Sequence, residues 1–364
     1  MRIRIDSITA EPLSVPLIEP FVIASGRVDV TPSVLVTARV TDLDTGRVEE
    51  GLGESAALPP VTREEQKDVL FTVMRVAALL RKRELAHDTL AQVLAPLFAE
   101  TPVARAGVET ALLDATARLM DVPLFVLLND GHSRVAGSLT TDMTLPIGDA
   151  NHMAELATGW RAKGFRCFKV KVGKNLEEDL AALEAIQAAV PDATYRIDAN
   201  AGYSASEAIA LVRAAEAAGC RIECFEQPCG RLALDANAEV AAAIDPPVIA
   251  DESVSTQSDL DRLIAAKAAD GVNLKLAKSG GPLAALAIGR AARRAGLQLM
   301  VGSMVETRLG VTAAAHLAAA LGRVEYPDLD TAWLLAEDPF LGGYEANGPN
   351  YTLPMCSGLG VTRR

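Results

Sequence analysis

The sequence predicts an α/β protein: a (β/α)8-type barrel, a modified TIM barrel, preceded by an N-terminal α+β capping domain that the C-terminal tail completes. Three observations carry this. From about residue 136, short apolar runs alternate with alanine-rich segments of high helix propensity, such as Glu178 to Val190 and Pro282 to Ala295. Charged residues end those runs at a regular spacing: Lys171, Asp198, Glu226, Asp251 and Lys275 follow one another at steps of 27, 28, 25 and 24 residues, the length of one strand and one helix. Before residue 130 the order is different, with strands first and helices after, as in a small α+β domain.

The chain begins with alternation, Ile3, Ile5 and Ile8, in a strand that bends at Pro12 and Pro16. Strands Ser33 to Thr41 and Glu49 to Glu54 complete an antiparallel meander, and two loops, around residues 18 to 30 and 55 to 62, lie between and after these strands. Helices are expected over 62–83, 89–99 and 104–120; in the last, Val108, Ala111, Leu112, Ala115 and Leu119 form one apolar face. Eight barrel strands follow: Ser138 to Thr144, Cys167 to Val172, Thr194 to Asp198, Ile222 to Glu226, Val248 to Asp251, Gly271 to Leu276, Gln298 to Ser303 and Arg323 to Asp330. The expected division is a cap over 1–130, a barrel over 131–335 and a returning tail over 336–364.

With 364 residues, half of them apolar, the chain suits a barrel of about 250 residues plus a second unit. A formal charge of −12 leaves no basic stripe for phosphates and argues against nucleic acid. No signal-like apolar segment follows Met1, and no apolar run reaches the length of a membrane span. The five cysteines have no zinc-site spacing and read as reduced thiols, so a cytoplasmic protein is expected. The four histidines fall away from the charged rim and read as structural.

Charged residues at the carboxyl ends of successive parallel strands emerge on one rim of such a barrel, where these folds keep their active sites. Asp198, Glu226 and Asp251 offer three hard oxygen ligands on neighbouring strands, a set that suits Mg²⁺. A divalent cation flanked by ammonium groups can remove a proton next to a carboxylate. The plainer alternative, hydrated strand-end charges, explains any one of these residues but not the whole ladder.

These residues also carry a resemblance. Lys169-Val-Lys171, Asp198-Ala-Asn200, Glu226-Gln-Pro228, Asp251-Glu-Ser253, Asn273-Leu-Lys275, Val301-Gly-Ser-Met304 and Asp328-Leu-Asp330 resemble the enolase superfamily, muconate-lactonizing-enzyme subgroup, and within it the dipeptide epimerases. The resemblance implies one Mg²⁺ on Asp198, Glu226 and Asp251, with Lys171 and Lys275 as bases on opposite faces of the substrate α-carbon. Lys169 would lie beside the substrate carboxylate, and Asp328 with Asp330 would hold the free ammonium of a dipeptide. Thr144, Ser303 and Met304 would line the pocket, with Asn200, Gln227 and Glu252 behind the metal ligands. The expected reaction is inversion at the C-terminal residue of an L-Ala-L-Xaa type dipeptide. The expected partner is therefore a small dipeptide, and barrels of this kind are often homo-oligomers.

Glutamate-selective members place an arginine where this chain has Ser25, and its second loop, Ala56 to Val61, is apolar. A dipeptide with a non-acidic, hydrophobic second residue is the resulting expectation. The alternatives are another reaction of the subgroup, namely N-acylamino-acid racemisation, o-succinylbenzoate synthesis or cycloisomerisation, and a barrel that binds Mg²⁺ and a ligand without catalysis.

Overall fold

The computed structural model describes residues 1–24, 26–129 and 138–364. The cap opens with β1 (Arg2–Leu13), β2 (Pro16–Ile23), β3 (Gly26–Val30), β4 (Ser33–Asp42) and β5 (Val48–Ala56). Then come α1 (Gln66–Leu80), β6 (Arg83–Ala86), α2 (Leu90–Leu94), α3 (Pro102–Leu119) and α4 (Leu124–Leu128). Its antiparallel sheet has the order β5-β4-β1-β6, so the expected meander is present, with β6 added beside β1. The first loop is itself a hairpin of β2 and β3, separate from that sheet.

Apolar alternation in β1 and β4 faces the buried stripe Val69, Val73, Val76 and Leu80 of α1. On β5, Gly51 and Gly53 allow close approach to α3: a Cβ at either would stand 2.1 Å from a backbone oxygen of Ala111 or Gly107. The expected helix over 89–99 is broken into α2 and a single 3₁₀ turn at Ala95–Leu97, because Pro96 lacks the donor a continuing helix needs.

After β7 (Leu139–Thr140), the barrel runs β8 (Met143–Leu145), α5 (Ala150–Ala162), β9 (Cys167–Lys171), α6 (Leu176–Ala189), β10 (Thr194–Asp198) and α7 (Ala205–Ala217). It continues through β11 (Ile222–Glu226), α8 (Leu234–Ala243), β12 (Val248–Ala250), α9 (Gln257–Ala266), β13 (Gly271–Leu274), α10 (Leu276–Ser279) and α11 (Pro282–Arg294). It ends with β14 (Gln298–Gly302), α12 (Arg308–Leu321) and β15 (Tyr326–Asp328). All neighbours in the order β15 back to β8 are parallel.

Between β8 and β15 the backbone ladder is missing, and side chains bridge the seam. Leu329 N donates to Thr141 Oγ1 at 2.8 Å, and Thr144 N donates to Asp330 Oδ2. Six expected strands are shorter than their sequence patterns, three of them by one residue at the carboxyl end and three by more. Ser138 to Thr144 splits, because Leu139 and Thr140 pair with the tail instead. Strand eight shrinks to Tyr326–Asp328 around Pro327, and Lys275 starts α10 rather than lying inside a strand.

The tail forms β16 (Phe340–Gly342), β17 (Glu345–Asn347), β18 (Asn350–Thr352) and β19 (Val361–Arg363). It does return to the cap: Asp114 Oδ1 on α3 accepts from Leu359 N at 2.7 Å, and Arg118 donates to the Val361 carbonyl at 2.9 Å. Cap and barrel are joined by buried carboxylates set at helix starts. Glu54 accepts from Thr307 N and Gly310 N at the start of α12, and Glu109 from Leu283 N at the start of α11. His316, inside α12, accepts from Phe125 N at 3.1 Å, and burial holds its pKa down at about 3, so it is a neutral structural acceptor. The five cysteines are free thiols. Among the described residues no helix is long and apolar enough to cross a membrane.

Candidate active site

Strands β9, β10, β11 and β15, and the residues that directly follow β12 and β13, bring charged side chains to the same end of the barrel. Strand pairing puts Lys171 level with Asp198, and Asp198 level with Glu226, while Lys169 is level with Arg196. The four buried cations among the described residues, Lys169, Lys171, Arg196 and Lys275, all stand here. Facing them are six buried carboxylates, Asp142, Asp198, Glu226, Asp251, Asp328 and Asp330. With Lys278, nearly buried beside Asp251, six carboxylates face five cations, so the rim keeps an acidic excess whose burial is costly.

Lys169 is the hub: its Nζ lies 2.6 Å from Glu226, 2.7 Å from Asp328 and 3.2 Å from Asp198. Lys171 pairs with Asp198 at 2.6 Å. Across the barrel, Lys275 and Lys278 grip the two oxygens of Asp251 at 2.7 and 2.6 Å. Burial alone would raise the Asp198 carboxyl, but Lys171 and Lys169 hold it at about 2. Glu226 goes the other way, up to about 7, through burial and the neighbouring Asp198 charge. Its Oε2 has Lys169 close by, yet no donor in hydrogen-bonding geometry, so this oxygen remains under-satisfied. Burial would lower the Lys275 ammonium, and Asp251 more than reverses that.

The residues behind this row fix it. Gln227 Oε1 accepts from Asp251 N and Ser253 N, at 2.9 and 3.1 Å, and Asn200 N donates to Asp198 Oδ1 at 2.9 Å. Asn200 and Gln227 both hold left-handed backbone, φ 42° and 35°, a strained conformation for non-glycine residues that these bonds maintain. Glu252 Oε1 accepts from Asn200 Nδ2 at 3.1 Å. Gly302 leaves room for the polar ends of two neighbours: a Cβ there would sit 2.9 Å from both Asn273 Oδ1 and Asp328 Oδ2 and displace them.

A second acidic group lies at the seam. Among the described residues, Asp142, Asp328 and Asp330 form the one carboxylate trio with ligand oxygens all within 4.8 Å of one another. Arg196 Nη1 donates to Asp142 at 2.9 Å and Lys169 to Asp328 at 2.7 Å, which leaves Asp330 the least compensated. Burial and the Asp328 charge lift its pKa to about 6, and its Oδ1 is buried without a partner. Asp142 and Arg196 were not among the sequence candidates, although Arg196 stands two residues before Asp198 on β10 and so shares its strand face, while Asp142 lies just before β8. Lys278 was missed because its place depends on the one-turn helix α10.

The cavity over the lysines has a free volume of about 30 Å³ and is lined by Lys169, Lys171, Lys275, Asp328 and Asn200 below. Thr144, Ser303 and Met304 line its sides, and Phe21, Ile23, Leu58 and Val61 close it from the cap. Ser25 lies outside the described residues. Arg27, the nearest arginine in the sequence, pairs with Asp29 at 2.9 Å with both side chains exposed, and among the described residues no arginine lines the cavity.

Residues 5–129 match the mandelate racemase/muconate lactonizing enzyme N-terminal domain, and residues 152–364 match the enolase C-terminal domain-like family. The chain belongs to the mandelate racemase/muconate lactonizing enzyme family. This member of the enolase superfamily is an enzyme of the racemase and epimerase class. It is 40% identical to an L-Ala-D/L-amino acid epimerase of Populus trichocarpa, over 95% of this chain and 82% of that one. It is 37% identical to an aromatic dipeptide epimerase of Herpetosiphon aurantiacus, over 99% of both chains. The Enterococcus faecalis V583 dipeptide epimerase, solved with Mg and the dipeptide L-Leu-L-Tyr, superposes with a TM-score of 0.89 at 30% identity, covering 99% of this chain and 100% of that one.

Proposed function

We propose that this family member is a divalent-metal-dependent dipeptide epimerase that inverts the α-carbon of the C-terminal residue. The single observation that carries the reading is the placing of two lysines on facing strands, Lys171 on β9 and Lys275 just after β13, with acidic residues between them. Lys171 takes the α-proton from one face and Lys275 returns one to the other, and the reverse reaction exchanges their roles. Lys169, held by Glu226, Asp198 and Asp328, places its ammonium beside the substrate carboxylate.

Of the two acidic groups, Asp198, Glu226 and Asp251 fit the metal better. Their donors are carboxylates on three successive strands, Glu226 carries an under-satisfied oxygen, and their present partners are lysines. Asp142, by contrast, is tied to Arg196, whose charge is permanent. When bound, Mg²⁺ would neutralise the carboxylates that now hold the lysines and stabilise the negative charge gathering on the substrate carboxylate.

Asp328 and Asp330 then receive the dipeptide ammonium. A monocation suits Asp330, whose bare Oδ1 and raised pKa mark one uncompensated charge. The lid residues Phe21, Ile23, Leu58 and Val61, together with Met304, favour an apolar second residue. The deciding experiment is α-proton exchange in D₂O with L-Ala-L-Leu, L-Ala-L-Phe and L-Ala-L-Glu, with Mg²⁺ and with EDTA. Metal-dependent deuteration of the C-terminal residue with loss of its L configuration is expected, fastest for the apolar dipeptides. Exchange with N-acylamino acids alone would assign the protein to that other reaction.

A further inference from the structure

Asp251 is paired with two lysines, and they hold it differently. Lys275 directly follows β13 and Lys278 comes one turn later on α10, so two ammonium groups reach one carboxylate from the same short segment. Lys275 Nζ donates to Asp251 Oδ2 at 2.7 Å and to nothing else among the described residues. Lys278 Nζ donates to Asp251 Oδ1 at 2.6 Å, to the Asp251 carbonyl at 2.5 Å and to the Asn273 carbonyl at 2.8 Å. An ammonium carries three protons, so Lys278 is fully engaged and Lys275 is not. The two also face different spaces. Lys275 lines the catalytic cavity beside Lys169 and Lys171, whereas Lys278 lines a neighbouring cavity of about 370 Å³ between the barrel and the cap residues Pro60 to Glu64.

We infer that Lys278 is a positioning residue: by fixing Asp251 it leaves Lys275 free to turn from that carboxylate to the substrate α-carbon. The inference rests on the two-lysine reading above and deepens it. Lys275 is bonded to Asp251 here, and as a base it must break that bond. Breaking it is useful only if the carboxylate does not follow and if no other oxygen of Asp251 takes the ammonium back. Lys278 meets both conditions, because it ties the carboxylate to the backbone of Asp251 and Asn273 and already fills Oδ1. Without it, Lys275 would be the one cation paired with Asp251 among the described residues, with both oxygens open to it. Lys171 pairs with another carboxylate, Asp198, so the effect falls on one face of the substrate.

The test measures initial deuterium incorporation in D₂O with Mg²⁺, starting separately from L-Ala-L-Leu and L-Ala-D-Leu, in the wild type, Lys275→Ala, Lys278→Met and Lys278→Gln. Lys275→Ala identifies the epimer that Lys275 deprotonates. Lys278→Met is expected to slow exchange from that epimer by about 10- to 100-fold, the worth of one more charge-assisted hydrogen bond to break, and to leave the other epimer within about threefold of the wild type. Lys278→Gln retains a donor for Asp251 and should show the same bias more weakly, and it decides the matter if Lys278→Met does not fold. Both variants should keep the rise of Tm with Mg²⁺, and the melts show that they are folded. An equal loss from both epimers, no loss from either, or loss of the Mg²⁺ effect overturns the inference while leaving the epimerase reading intact. Exchange with no dipeptide in the wild type brings down both.

Discussion

Lys169 reaches across the barrel mouth to Asp328, 159 residues later in the chain, and donates to its carboxylate at 2.7 Å. The same ammonium touches Asp198 and Glu226, so one side chain joins the row on strands β10 to β12 to the acidic seam beside β8. Substrate carboxylate and substrate ammonium would therefore bind on opposite sides of a shared cation, and each end of a dipeptide would feel the other.

Removing either base should stop inversion and leave half of the exchange. Lys171→Ala and Lys275→Ala should each lower epimerisation by about 10³-fold. Each should still exchange the α-proton of one epimer, opposite epimers for the two variants. Chiral chromatography of the dipeptide recovered from D₂O reads both quantities. Loss of exchange with both epimers in one variant would mean that its lysine does more than serve one face.

Two acidic groups compete for the metal, and melting in the presence of Mg²⁺ separates them. Wild-type Tm should rise with Mg²⁺, because a ligand that binds only the folded state stabilises it. Glu226→Gln and Asp251→Asn should lose that rise. Asp142→Asn should keep it, although the apo protein should be destabilised by about 3 kcal/mol as Arg196 loses its buried partner. The reverse pattern would move the metal to the seam.

Asp330→Asn should raise KM for dipeptides by about 10- to 100-fold, the worth of a charge-assisted contact. In the wild type, the Asp330 carboxyl sits at about 6 in the free enzyme. Below that pH it is protonated and cannot hold an ammonium, so kcat/KM should decline from pH 7 to 5, and this limb should vanish in the variant.

The cap and barrel interface carries its own pH signature. Burial and the Glu54 charge lift Glu306 to about 8, well above its unfolded value of 4.5. Between those values the folded state binds the extra proton, so this group's contribution to stability is present at pH 4.5 and lost as pH rises through 8. Its slope approaches about 1.4 kcal/mol per pH unit. Urea unfolding at pH 5, 6.5 and 8 should show a steeper decline for the wild type than for Glu306→Gln.

Much of the architecture was legible because charge and periodicity repeat together: every 24 to 28 residues an apolar run ends in Lys171, Asp198, Glu226, Asp251 or Lys275. The structure brings all five to one rim. Illegible features were those in which a distant segment overrides the local pattern. Leu139 and Thr140 read as part of the first barrel strand, but Asn350 and Tyr351 of the tail claim them. The seam trio needed Asp142 beside Asp328 and Asp330, a contact between the first and last strands that no spacing in the chain announces.

Glu54 and Glu109 are inserted into the starts of α12 and α11 like dowels, each seating the cap on the barrel through buried backbone donors. Pulling either out would leave those donors bare, so the cap does not swing as a door. The cavity is closed from the cap by Phe21 and Ile23 of the β2–β3 hairpin and by Leu58 and Val61, none of which takes part in the dowel contacts. Substitutions at Phe21, Ile23, Leu58 or Val61 should therefore alter substrate selectivity without loosening the joint beneath them.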